Sequence, residues 1–175
     1  DNLSLVGCNY WLSKDTNYLQ ANYESIIVGT ITVGSVEEDG DGTVNGLTIN
    51  GLTIDSEDEY GIRIRATCKI TIVNNSIEGN GIVKHGIRME DVDSAQLTIR
   101  NNIIRNYSTD YDSPDPCSAG IEVRGSCVTG EISRNYILGT ESYWYTYATG
   151  IKICEGARMA VVENEIVGNH KGMAI

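Results

Sequence analysis

The sequence predicts an all-β protein, a right-handed parallel β-helix of about six coils, from three observations. A glycine followed by an alternating apolar pair recurs as Gly61-Ile62-Arg63-Ile64, Gly86-Ile87-Arg88-Met89, Gly120-Ile121-Glu122-Val123, Gly150-Ile151-Lys152-Ile153 and Gly172-Met173-Ala174-Ile175. Between these glycines falls a second motif, apolar-x-x-Asn-x-apolar, at Leu47/Asn50/Leu52, Ile72/Asn75/Ile77, Ile99/Asn102/Ile104, Ile132/Asn135/Ile137 and Val161/Asn164/Ile166. Two motifs alternating in fixed order mean one structural unit copied several times. The third observation is periodicity: each repeat holds three short runs that alternate apolar and polar residues, the signature of strands and not of helices.

Each element follows from its residues. The repeat glycines advance by 25, 34, 30 and 22 residues, so a constant core is joined by loops of variable length. Three strands per repeat, with Gly and Asn at the turns, describe one coil of a β-helix. Asn tolerates the left-handed backbone of a sharp turn, and stacked amides can hydrogen-bond from coil to coil. Asn50, Asn75, Asn102, Asn135 and Asn164 are therefore expected to form a ladder. Twenty-two Ile, no Phe, 19 Gly and 2 Pro suit a narrow core of β-branched side chains. Residues 1–45 are less regular and read as opening coils or a cap, with apolar stretches at Leu3–Val6 and Ile26–Val33. Residues 46–175 carry the repeats, and the whole reads as a single domain.

The Gly-Ile-x-Ile strand followed by Ile-Thr-Ile-x-Asn-Asn-x-Ile, seen at 61–77 and again at 86–104, resembles the parallel β-helix repeats of the pectate-lyase-like superfamily. It is most similar to that superfamily's generic repeat proteins of bacterial and archaeal surfaces. The resemblance implies the fold. It does not imply one activity, because the superfamily spans lyases, hydrolases, epimerases, esterases, tailspikes and adhesins. The paired aspartates and Gly-His-Gly turn of its polygalacturonases, and the arginine-centred motif of its pectate lyases, have no counterpart here.

Charge bounds the partners. With 13 Lys+Arg against 24 Asp+Glu the net charge is −11, which argues against nucleic acid and disfavours an anionic polysaccharide unless calcium bridges the two. No apolar run approaches a membrane span. An extracellular or cell-surface location is expected. The chain begins at Asp and stops at Ile175 inside a repeat strand, which reads as a segment of a longer protein or as a bare end that stacks on another copy. Cys8, Cys68, Cys117, Cys127 and Cys154 show no metal spacing, and most read as small buried apolar side chains. No cofactor is called for; calcium is left open by Asp39 and Asp41, which begin a calcium loop that lacks its later ligands.

Function is expected on the outer face of the Gly-Ile-x-Ile strands. With the isoleucines facing inward, the ladders Arg63, Arg88, Glu122, Lys152 and Arg65, Glu90, Arg124, Cys154 face outward, about 5 Å apart between coils. One reading is an ion-pair grid that satisfies an exposed sheet face. The other is a catalytic floor, in which Glu122, Arg88, Lys152 and Glu90 supply the groups a lyase or hydrolase needs. Two long loops flank this face and carry Tyr107, Asp110, Tyr111 and Asp112, then Tyr143, Trp144 and Tyr145. Aromatic rings with carboxylates between them suit sugars or a protein partner. Lys84-His85 and His170-Lys171 read as loop residues. The expected function is a scaffold presenting an aromatic–acidic groove for carbohydrate or protein. The rivals are a polysaccharide lyase or glycoside hydrolase in the same groove, and a self-assembling fibre or coat subunit.

Overall fold

The computed structural model describes residues 3–7, 25–34, 43–79, 84–90, 92–107, 118–139 and 148–175. Their strands fall into six successive coils of three. The first is β1 (Leu3–Val6), β2 (Ile26–Val28) and β3 (Ile31–Gly34); the second is β4 (Thr43–Asn50), β5 (Thr53–Ser56) and β6 (Tyr60–Arg65). The third is β7 (Thr67–Val73), β8 (Ser76–Gly79) and β9 (His85–Met89); the fourth is β10 (Ser94–Arg100), β11 (Ile103–Tyr107) and β12 (Ala119–Arg124). The fifth is β13 (Cys127–Ser133), β14 (Tyr136–Gly139) and β15 (Thr149–Cys154); the sixth is β16 (Arg158–Val162), β17 (Glu165–Val167) and β18 (Lys171–Ala174). Every third strand pairs in parallel, giving three six-stranded sheets: sheet A begins with β1, sheet B with β2 and sheet C with β3. The opening residues thus contribute one coil, and β4 already belongs to the second.

Each inward column is a stack of like side chains. Ile62, Ile87, Ile121 and Ile151 align on sheet C, Ile54, Ile77, Ile104 and Ile137 on sheet B, and Ile49, Ile72, Ile99 and Ile132 on sheet A, all fully buried or nearly so. Each buried isoleucine contributes roughly 1.5–3 kcal/mol of transfer free energy. The repeat glycines make this narrow cross-section fit. A Cβ on Gly61 would run into Ile77 and lie 2.7 Å from the carbonyl oxygen of Gly86, and Gly86 repeats that clash with Ile104 and Gly120.

The ladder forms with four of its five expected members. The Asn75 side-chain NH2 donates to Oδ1 of Asn102, Asn102 to Asn135, and Asn135 to Asn164, at 3.0, 3.0 and 2.9 Å. Each Oδ1 also accepts the backbone N–H of the asparagine one coil before, at 3.0 Å. Asn50 is not a rung. Sheet register aligns it with Val73, and its Oδ1 instead accepts from Asn74 on the outside of the turn at 2.9 Å. Leu52 occupies the rung position, its backbone N–H donating to Asn75 Oδ1 at 3.0 Å.

The corner beside the ladder needs a left-handed residue in each coil. Gly51, Asn74, Asn101, Arg134 and Glu163 fill it, with φ between 54° and 70°. Gly and Asn meet this requirement at little cost, whereas Arg134 and Glu163 are held there by their coils.

Candidate functional site

Sheet C positions the site. Pairing of β6, β9, β12 and β15 sets Arg63, Arg88, Glu122 and Lys152 side by side across four coils. Glu90 follows β9, with its backbone N–H donating to the Ile64 carbonyl at 3.1 Å, and Arg124 and Cys154 align on β12 and β15. Both ladders have the expected order, and all four residues named as a catalytic set lie in one cluster.

The cluster is built in two layers. The carboxylates lie beneath: the Glu122 side chain is 1% exposed and that of Glu90 is 7% exposed. The cations lie above them, from Arg88 at 13% to Arg124 at 32%. Glu122 Oε1 is 2.9 Å from Lys152 Nζ and 3.7 Å from Arg124 Nε, while Oε2 is 3.3 Å from both Arg88 Nε and His85 Nδ1. Arg88 Nε bridges to Glu90 Oε2 at 2.9 Å, and Arg63 Nε donates to Glu90 Oε1 at 2.6 Å. The sequence led to an exposed ladder of surface ion pairs. The structure shows a buried one, whose partners lose far more when one member is removed.

Two members were not assigned a role from sequence. His85 opens β9 and is buried, not a loop residue, and its ring stacks on Tyr60 with centroids 5.7 Å apart and planes 10° from parallel. The guanidinium carbons of Arg63 and Arg88 lie 4.7 and 5.7 Å from the Tyr60 ring centre. Burial pushes the Tyr60 phenol above its ordinary value, Glu90 adds to the rise, and Arg88 and Arg63 oppose it. Arg88 Nη1 lies 3.2 Å from His85 Nε2. The His85 ring thus stands between a carboxylate and a guanidinium, Nδ1 facing Glu122 and Nε2 facing Arg88. Tyr60 and His85 each immediately precede a repeat glycine, and that shared position was the available signal.

One expected site residue is not brought here. Tyr107, taken as a ligand-binding loop residue, is fully buried in the core. A register shift between Arg105 and Tyr107 sets it opposite Gly139, and its hydroxyl donates to Asn169 two coils on. Burial raises its pKa. Asp110, Tyr111, Asp112, Tyr143, Trp144 and Tyr145 lie outside the described residues, as do Asp39, Asp41, Cys8 and Cys117. Among the described residues no three His, Cys, Asp or Glu side chains gather as a metal site. Cys68, Cys127 and Cys154 are free thiols, and burial raises the Cys68 thiol to about 11.

Comparison with known proteins bears on the architecture. The model of the right handed beta helix region matches residues 34–143, well over half of the chain. The chain belongs to this family. No curated protein and no solved structure matches it. Membership in the beta helix family fixes the hand of the coils and their scaffold.

Proposed function

We propose that this β-helix is a binding scaffold of the cell surface or extracellular space, whose sheet C face holds carbohydrate through carboxylate or sulfate groups. One observation carries the reading: the face is layered around Glu90 and Glu122, which are buried while Arg63, Arg65, Arg88, Arg124 and Lys152 are more exposed; Glu155, paired with Arg124, is itself exposed. Among the described residues of the cluster, Arg63, Arg65, Arg88, Arg124 and Lys152 outnumber Glu90, Glu122 and Glu155. A ligand approaching over Glu90 and Glu122 meets guanidinium and ammonium groups first, despite the net charge of −11. Guanidinium forks suit carboxylate and sulfate, and buried carboxylates beneath keep them in place. The acidity of the whole chain therefore does not exclude an anionic glycan. The partly exposed Tyr60 ring, braced by His85, adds an apolar surface at one end.

The same geometry disfavours turnover. A general base must meet the proton it removes. Glu122 is ringed by three cations and a histidine, and both nitrogens of His85 face groups of the cluster. A glycan array spanning sulfated, uronic-acid and neutral oligosaccharides tests the reading. Retention confined to charged glycans, and lost in Arg124→Gln with the β-sheet circular dichroism spectrum intact, is expected. Retention of neutral glycans unaffected by Arg124→Gln contradicts it, and release of unsaturated or reducing ends from any glycan shows an enzyme instead.

A further inference from the structure

The cations over Glu90 and Glu122 are not spread evenly along the helix axis. Arg88 and Arg65 are the least exposed of the five, at 13% and 14%, and both turn to carboxylates. Arg88 Nε lies 2.9 Å from Glu90 and 3.3 Å from Glu122, and Arg65 Nε lies 4.0 Å from Glu90. Arg63, Lys152 and Arg124 reach further into solvent, at 28%, 21% and 32%. These three fall into two groups: Arg63 stands on β6, whereas Arg124 and Lys152 stand on β12 and β15. Register counts two steps from β6 to β12 and three to β15, so strand spacing sets the groups about 10–15 Å apart.

Between the two groups the face has a different character. Arg88 is engaged there by Glu90, Glu122 and His85 together. An anion set over this middle meets a guanidinium already held and two carboxylates just beneath it. Like charges brought together work against binding. At the far group, Glu155 lies 3.1 Å from Arg124 and is itself exposed. An anion arriving at Arg124 takes its place, and the Glu155 carboxylate returns to water at little cost.

Resting on the anion-binding reading of this face, we infer that its glycan carries one anion on every second sugar. One anion sits at Arg63 and the next at Arg124 and Lys152. An extended pyranose chain advances by about one strand spacing per sugar, so a disaccharide repeat spans the two steps between the groups. A glycan charged on every sugar must place its intervening anion over Glu90 and Glu122. The face selects by what it excludes as well as by what it attracts. Two anions joined in one chain also make the second contact intramolecular, which strengthens binding once the chain is long enough to reach both groups.

Calorimetric titration of the full chain at fixed salt tests this with two kinds of probe. Hyaluronan di-, tetra- and hexasaccharides are charged on alternate sugars, and hexagalacturonate is charged on every sugar. The hyaluronan hexasaccharide should bind about tenfold more tightly than hexagalacturonate, although it carries half as many carboxylates. The hyaluronan tetrasaccharide should bind more tightly than the disaccharide. Arg63→Gln should remove that gain with the circular dichroism spectrum unchanged, because only one group then remains to hold an anion. Equal or tighter binding of hexagalacturonate, or a chain-length gain that survives Arg63→Gln, overturns the inference and leaves anion binding by the face standing. Absence of binding by all of these glycans overturns the inference together with the carboxylate arm of that reading.

Discussion

The asparagine ladder and the sheet C cluster are both columns of buried polar groups repeating at coil spacing, yet they are built on opposite rules. In the ladder every rung is the same residue, and each amide gives and takes the same bonds as its neighbours. In the cluster the residue changes along the column: Arg63 and Arg88, then Glu122, then Lys152. Identity in register solves a problem that every coil shares, which is to satisfy a turn. Difference in register makes a local arrangement that only these coils have, and sites are made in that way.

The comparison can be broken most forcefully at Glu122. Glu122→Ala leaves Arg88, Lys152 and Arg124 crowded around an empty anion position and should cost about 3 kcal/mol. The urea midpoint should fall accordingly; a loss below roughly 1 kcal/mol, the range of surface pairs, shows the cluster to be an ordinary exposed grid. At the ladder, Asn102→Ala should cost about 1–3 kcal/mol, since Asn75 and Asn135 lose partners on both sides. Asn50→Ala is the sharper half of that experiment, because Asn50 stands outside the ladder and should cost about 0.5 kcal/mol. Equal losses at the two positions would place Asn50 among the rungs after all.

Smaller effects distinguish the other outward face. Burial raises the Glu78 carboxyl above its ordinary value, with Arg105 and Asn106 opposing and Asp55 reinforcing. A raised folded-state pKa favours the protonated fold, so this contribution is present below the unfolded value and is lost as pH rises through the folded one. Glu78→Gln should therefore flatten the fall in stability across that acidic window, measured by urea melts at a series of pH values. The smallest effect is expected at Arg134, held at φ 54° and paired with exposed Glu163. Arg134→Gly should raise stability slightly in urea melts, because left-handed strain is released and only an exposed ion pair is lost.

Most of the fold was legible because inward and outward residues alternate with period two. The same periodicity hides a slip of two residues, since such a shift leaves every side chain on its face. That is how Asn50 satisfied the rung motif while the true register set Leu52 in its place. Tyr107 was misplaced for a related reason: the shift after Arg105 turns a residue at the edge of a loop into the core opposite Gly139. In the cluster the order of charges was readable from the glycine repeat. Its depth was not, because alternation states which way Glu122 points and not what covers it. Tyr60 was passed over and His85 was read as a loop residue because their column, unlike the ladder, repeats no residue type.

The most direct test of the account is calorimetric titration of an acidic oligosaccharide at several salt concentrations, for wild type and for Lys152→Gln. The account predicts affinity that weakens as salt rises, with a shallower salt dependence in Lys152→Gln because one cation is gone. Binding independent of salt and unchanged by Lys152→Gln would contradict it, and would leave the sheet C cluster as a buried ion network with no ligand of its own.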